Sequence, residues 1–93
     1  LTDAERRTAV CISAALKSSV DYAHHHTVQE THDLVVGALN ATQGLEVEYF
    51  EIVNGITLQP VSSWDEAETI VGCITVYCGA RPVRLIDNIK YKG

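Results

Sequence analysis

Three histidines in a row, His24-His25-His26, suggest metal chemistry first. Successive residues on a helix point about 100° apart, so such a triplet cannot close on one ion. Helical zinc ligands are spaced by three or four residues, and His32 does not supply that spacing. The triplet therefore reads as a solvated connection whose cations favour the end of the preceding helix. Three cysteines, Cys11, Cys73 and Cys78, contain no C-x-x-C pair, so the pattern does not point to zinc. Cys73 and Cys78 fall in one β-branched run. Five residues of strand separate them by about 16 Å, far beyond disulfide reach. All three read as free thiols, with Cys11 on a packed helix and slow to react. Glu46, Glu48 and Glu51 group three carboxylates on one strand. Paired carboxylates can do acid–base work, but this spacing also suits the wet face of a sheet. Ser13, Ser18 and Ser19 have no nucleophile-elbow context, and no glycine-rich phosphate loop occurs. No active site emerges from residue types alone.

The elements that would position these residues are clearer. Thr2-Asp3-Ala4-Glu5 is a capping-box pattern. Behind it Ala9, Ile12, Leu16, Val20 and Ala23 recur at helical intervals, with Arg6, Arg7 and Lys17 off that face. The helix should end near Tyr22 to His24. A second box, Thr27-Val28-Gln29-Glu30, opens a helix with Leu34, Val35, Ala38 and Leu39 as its apolar stripe, and Gly44 suits a left-handed C-terminal cap. So short a connection predicts an antiparallel helical hairpin.

The period then changes to two. Leu45, Val47 and Tyr49 alternate with Glu46 and Glu48, and past Tyr49 the phase slips to Phe50 and Ile52. Either a bulge re-aims the chain or both faces are buried from there. Asn54-Gly55 marks a turn, and Ser63-Trp64-Asp65-Glu66 a third capping box on a short helical turn. Ile70 to Cys78 reads as the central strand. Gly79-Ala80-Arg81-Pro82 forms a turn, and Val83 to Ile89 the return strand, frayed at Asp87-Asn88. The order predicts an α+β fold: a helical hairpin plus a short helix packed on one face of a small, roughly three-stranded antiparallel sheet.

Composition bounds the partners. The chain has 93 residues, 46% apolar and 20% charged, with seven Lys and Arg against twelve Asp and Glu, a formal charge of -5. One domain fits this length. The acidic balance speaks against nucleic acid or an anionic membrane as main partner. The longest mostly apolar stretch, Ile70 to Ala80, is too short to span a bilayer as a helix, and the N-terminus carries no secretory pattern. The chain has no Met and opens Leu1-Thr2-Asp3, which reads as a piece of a longer protein.

Three segments in order carry a resemblance. Leu1-Thr2-Asp3-Ala4-Glu5-Arg6 is similar to the L-x-x-x-E-R that opens the C-terminal domain of pantothenate synthetases. Leu45-Glu46-Val47-Glu48-Tyr49-Phe50-Glu51-Ile52-Val53 resembles that family's V-x-Y-x-x-(I/L)-V strand, and Arg84-Leu85-Ile86-Asp87-Asn88-Ile89 its closing R-L-I-D-N signature. Leu58-Gln59-Pro60-Val61 also fits, while the His triplet and Arg81-Pro82 lie outside the pattern. The resemblance implies a cytoplasmic ligase of coenzyme A biosynthesis that uses ATP and magnesium. Pantoate's carboxylate attacks the α-phosphate of ATP, releasing pyrophosphate. The amine of β-alanine then attacks the adenylate, giving pantothenate and AMP. The family's nucleotide-binding N-terminal domain, which binds both acids and forms the homodimer, is absent here, as is the Ser-Arg-Asn segment before the L-x-x-x-E-R. Residues 1–93 would then be one domain, the hinged lid over ATP, with no catalytic residue, no bound cofactor and no activity of its own. A phosphoryl-transfer site needs convergent cations and amide donors, and the sequence presents neither.

One side chain could still act. If Val83 and Leu85 face the helices, Arg84 and Ile86 face the other way. On the lid reading, Arg84 would look toward bound ATP on closure. On the plainer reading, Arg84 pairs across the sheet with Glu46, Glu48 or Glu51. Two further classes stay open: a free-standing α+β interaction or small-ligand regulatory module, and a small hydrolase using Cys11 with a histidine.

Overall fold

The computed structural model describes residues 3–78 and 83–93. The capping box proposed at Thr2 and the turn proposed at Gly79-Ala80-Arg81-Pro82 lie outside the described residues. Two helices, α1 (Asp3–Ala23) and α2 (Val28–Asn40), precede three strands, β1 (Leu45–Asn54), β2 (Ile70–Cys78) and β3 (Val83–Lys92). A single 3₁₀ turn, Trp64–Glu66, sits between β1 and β2. The sheet is antiparallel in the order β1-β2-β3. α1 lies against β3 and α2 against β1, so the α+β fold expected from the sequence is the one found.

The helices form where the sequence marks them. Ile12, Leu16 and Ser19 turn inward from α1 and are buried. At the start of α2 both halves of the capping box are made. The Glu30 amide donates to Thr27 Oγ1 at 3.1 Å, and the Thr27 amide donates to Glu30 Oε1 at 2.9 Å. The buried face of α2 is Val28, Thr31, Val35 and Leu39. This corrects the expected stripe, since Leu34 and Ala38 are exposed. Thr31 can be buried because its hydroxyl donates to the Thr27 carbonyl at 2.9 Å, and Val35 and Leu39 are common to the expected and the observed face. Gly44 does take a left-handed φ of 85°, but it lies in the turn just before β1. The C-cap is Ala41, whose amide bonds back to Gly37 and Leu39.

In β1 the phase slip is a bulge between Val47 and Tyr49. It adds Glu48 to the strand and puts Phe50 and Ile52 on the inner side with Ile74 and Gly72 opposite. Ile12, Leu16, Val35, Leu39, Phe50, Ile70, Ile74 and Val76 make the centre of the core. β3 is not frayed at Asp87-Asn88 as expected. Asp87 pairs with Ile74 and Asn88 with Cys73, and the strand runs on to Lys92. Asp87 Oδ1 accepts the Asn88 amide at 2.8 Å, so the polar pair satisfies an amide on this edge strand.

Candidate functional site

α1 and β3 start at the same end of the molecule. Near their other end, Ser19 Oγ and the Tyr91 hydroxyl are 2.7 Å apart, and Val20, Ala23 and His24 share a cleft of about 290 Å³ with Trp64, Tyr91 and Lys92. Counting back from that tie, Arg6 lies about 20 Å up the helix and Arg84 about 23 Å up the strand. The topology therefore puts Arg6, Arg7 and Arg84 toward one end, Arg6 and Arg7 on the helix layer, where the first turn of α1 also carries Asp3 and Glu5, and Arg84 on the sheet. The paired residues Leu45 and Cys78 lie at that end too. Arg6 and Arg7, with Val10 and Cys11, line an open apolar groove of about 410 Å³. Sequence reasoning set Arg6 and Arg7 aside as off-face charges. What it lacked was the direction of α1 relative to β3.

The sheet face away from the helices is acidic along β1. As expected, Arg84 and Ile86 are exposed there while Leu85 packs on the core; the side chain of Val83 lies outside the described residues. Arg84 Nη2 donates to Glu48 Oε1 at 3.4 Å, a long and exposed contact. The Tyr49 hydroxyl donates to Glu51 Oε2 at 2.9 Å. That bond holds the Tyr49 phenol above its ordinary range, and Glu48 does the same to Tyr77. Glu48 and Glu51 thus work as acceptors on this face, and Glu46 is exposed on the same strand.

The histidines go separate ways. His26 stacks on Tyr22 with ring centroids 3.6 Å apart, and its Nδ1–H donates to the Tyr22 carbonyl at 2.9 Å. Trp64 Nε1 donates to the His26 carbonyl at 2.8 Å. His24 and His25 are exposed. Among the described residues, no group of three His, Cys, Asp or Glu is placed to hold a metal ion. All three cysteines are free. Cys78 is buried and Cys73 half-buried, but Cys11 is exposed, against the expectation of a packed position. It sits one residue, about 100°, from the inward Ile12. Ser19 is buried and donates to the Leu16 carbonyl at 2.5 Å; its hydroxyl is structural, and the partner that makes it so, Tyr91, is remote in sequence.

Comparison with known proteins assigns the family. A family model described as pantoate-beta-alanine ligase matches residues 1–90. The chain is 54% identical over 92 residues to a pantothenate synthetase of Bacteroides thetaiotaomicron and 52% identical over 93 residues to one of Phocaeicola vulgatus. These matches cover 99% and 100% of this chain and 32% of each relative, so the chain spans about a third of the length of the curated relatives it matches. The fold superposes on the crystal structure of the pantothenate synthetase of Thermus thermophilus with a TM-score of 0.81 at 26% identity, covering 100% of this chain and 33% of that one. On these findings the chain belongs to the pantoate-beta-alanine ligase family.

Proposed function

We propose that this chain is the C-terminal lid of an ATP-dependent, AMP-forming ligase that joins pantoate to β-alanine. The observation that supports the reading is the family match over residues 1–90, with Arg6 and Arg7 side by side near the start of α1. Paired cations suit an anionic nucleotide. Closure would bring that end over ATP bound by the rest of the enzyme. There, fixed positive charge would neutralise the phosphates and help exclude water from the adenylate. Arg84 would exchange Glu48 for a phosphate oxygen. The groups that activate pantoate and β-alanine belong to the part of the relatives' length that this chain does not span, as do homodimer contacts. The reading also carries a cytoplasmic location. Magnesium does not fit a donor set among the described residues, and no step is assigned to it on this domain. The test uses the full-length ligase. Arg6→Ala/Arg7→Ala should lower kcat/KM for ATP in pantoate-dependent pyrophosphate release by on the order of tenfold or more. An unchanged kcat/KM would remove the lid role from this end of the domain.

A further inference from the structure

The loop after β1 displays two aliphatic side chains that nothing among the described residues covers. Ile56 is 81% exposed and Leu58 64% exposed. Exposed aliphatics on a mobile tip would mean little, but this loop is tied at every turn. Asn54 Oδ1 accepts the amides of Ile56 at 2.8 Å and Thr57 at 3.2 Å. The Asn54 carbonyl accepts the Leu58 amide, and the Asn54 amide donates to the Gln59 carbonyl, both at 2.9 Å. The Gly55 amide donates to the Thr69 carbonyl at 2.8 Å. Gly55 lies so close to Thr69 that an added Cβ would meet the threonine methyl at 2.6 Å. Within this frame Leu58 has a φ of 62°, a left-handed conformation that disfavours a leucine. A glycine would take it without strain. The frame thus holds an unfavourable residue in order to point a large apolar side chain at solvent, and such retained strain clusters at functional contacts.

We infer that Ile56 and Leu58 form a preformed knob that docks into an uncharged apolar socket on the rest of the ligase polypeptide. Three observations select that occupant. Asn54 to Ser63 carries no charged residue, so the complement is apolar rather than ionic, and an anionic membrane finds no cation to hold. The relatives are about three times the length of this chain, so a large tethered surface is at hand. Two side chains bury far less than the roughly 1,200 Å² that a stable interface between separate molecules needs, which argues against a second copy. A contact within one polypeptide needs no such area, because tethering supplies the effective concentration. The inference rests on the reading that this chain works as part of a longer ligase, and it adds a docking element at the end of β1, opposite the arginine end.

The full-length ligase provides the test. A benzophenone amino acid in place of Ile56 should, on irradiation, cross-link within one polypeptide to a segment outside these 93 residues. Cross-links confined to the 93 residues, made only to a second copy, or absent would overturn the inference. Leu58→Gly keeps the backbone path but removes the side chain, and should lower kcat/KM for pyrophosphate release by roughly tenfold through lost docking. A full rate would overturn it as well. A parent enzyme with no ATP- and pantoate-dependent pyrophosphate release would sink the functional reading alone, and the cross-link would still judge the knob.

Discussion

At the scale of single residues, Arg84 has two possible roles, as a lid cation and as an ion-pair partner. Its contact with Glu48 is long and exposed, so its loss should cost only about 0–1 kcal/mol. In the full-length ligase, Arg84→Ala should therefore slow adenylate formation by roughly tenfold while moving the melting temperature by no more than a few degrees. A lower melting temperature with the rate intact would make Arg84 structural. The cysteines form a second residue-scale test. Ellman's reagent should reach Cys11 first and Cys73 more slowly, with Cys78 reacting only on unfolding, because exposure falls in that order and access limits thiol reactivity. Equal rates for Cys11 and Cys78 would contradict the placement of α1. The separation of Cys73 and Cys78 is legible in the sequence, because the rise of a strand is fixed. The facing of Cys11 is not, because one step along a helix turns a side chain from core to solvent. The arginine end was illegible for a different reason: Arg6 and Arg84 are brought to one end only by the parallel run of α1 and β3.

At the scale of elements, the capping boxes are legible because residues three apart close each of them. The Thr27 and Ser63 boxes form as written, including the Glu66 carboxylate that accepts the Ser63 amide at 2.7 Å. The bulge was one of two readings of β1, and choosing it required the partner strand. Asp87-Asn88 was misread because β-propensity ignores that an edge amide can be satisfied by the preceding carboxylate. α2 gives the element-scale prediction. Thr27→Ala removes the acceptor for the Glu30 amide and should cost about 1 kcal/mol in urea unfolding. The other half of the box is pH-dependent. The Thr27 amide holds the Glu30 carboxyl below its ordinary 4.5. A lowered native pKa means stability that is present above the unfolded value and lost as pH falls through the native one. Amide exchange in the first turn of α2 should thus show protection falling below about pH 4.5 beyond the intrinsic rate change. Glu30→Gln should abolish that dependence, and an unchanged profile in the variant would assign it elsewhere.

At the scale of the whole molecule, the question is whether the domain is a fold in its own right. The core joins both helices to β1 and β2, from Ile12 and Leu16 through Val35 and Leu39 to Phe50, Ile74 and Val76, and Leu85, Ile89 and Tyr91 of β3 pack against it. Polar ties close the same unit at long range: Tyr91 to Ser19, Trp64 to the His26 carbonyl, and Lys92 Nζ to the Trp64 carbonyl at 2.8 Å. Among the described residues, no buried side-chain nitrogen or oxygen lacks a hydrogen-bond partner. A chain of this size with a satisfied core should be stable by about 5–9 kcal/mol, and unfolding in urea should be one cooperative step seen alike by tryptophan fluorescence and circular dichroism. Trp64 reports on the cleft end and the helices report on the other layer, so transitions that fail to coincide would divide the domain. Catalysis should not follow from folding. On the proposed reading the arginine end would neutralise phosphates, while the groups that bind pantoate and activate its carboxylate would lie outside these 93 residues. With ATP, pantoate and β-alanine, the 93-residue chain should release pyrophosphate at the background rate. Turnover above that rate, retained after Arg6→Ala/Arg7→Ala, would mean that a complete active site lies within this domain and that its role is not that of a lid.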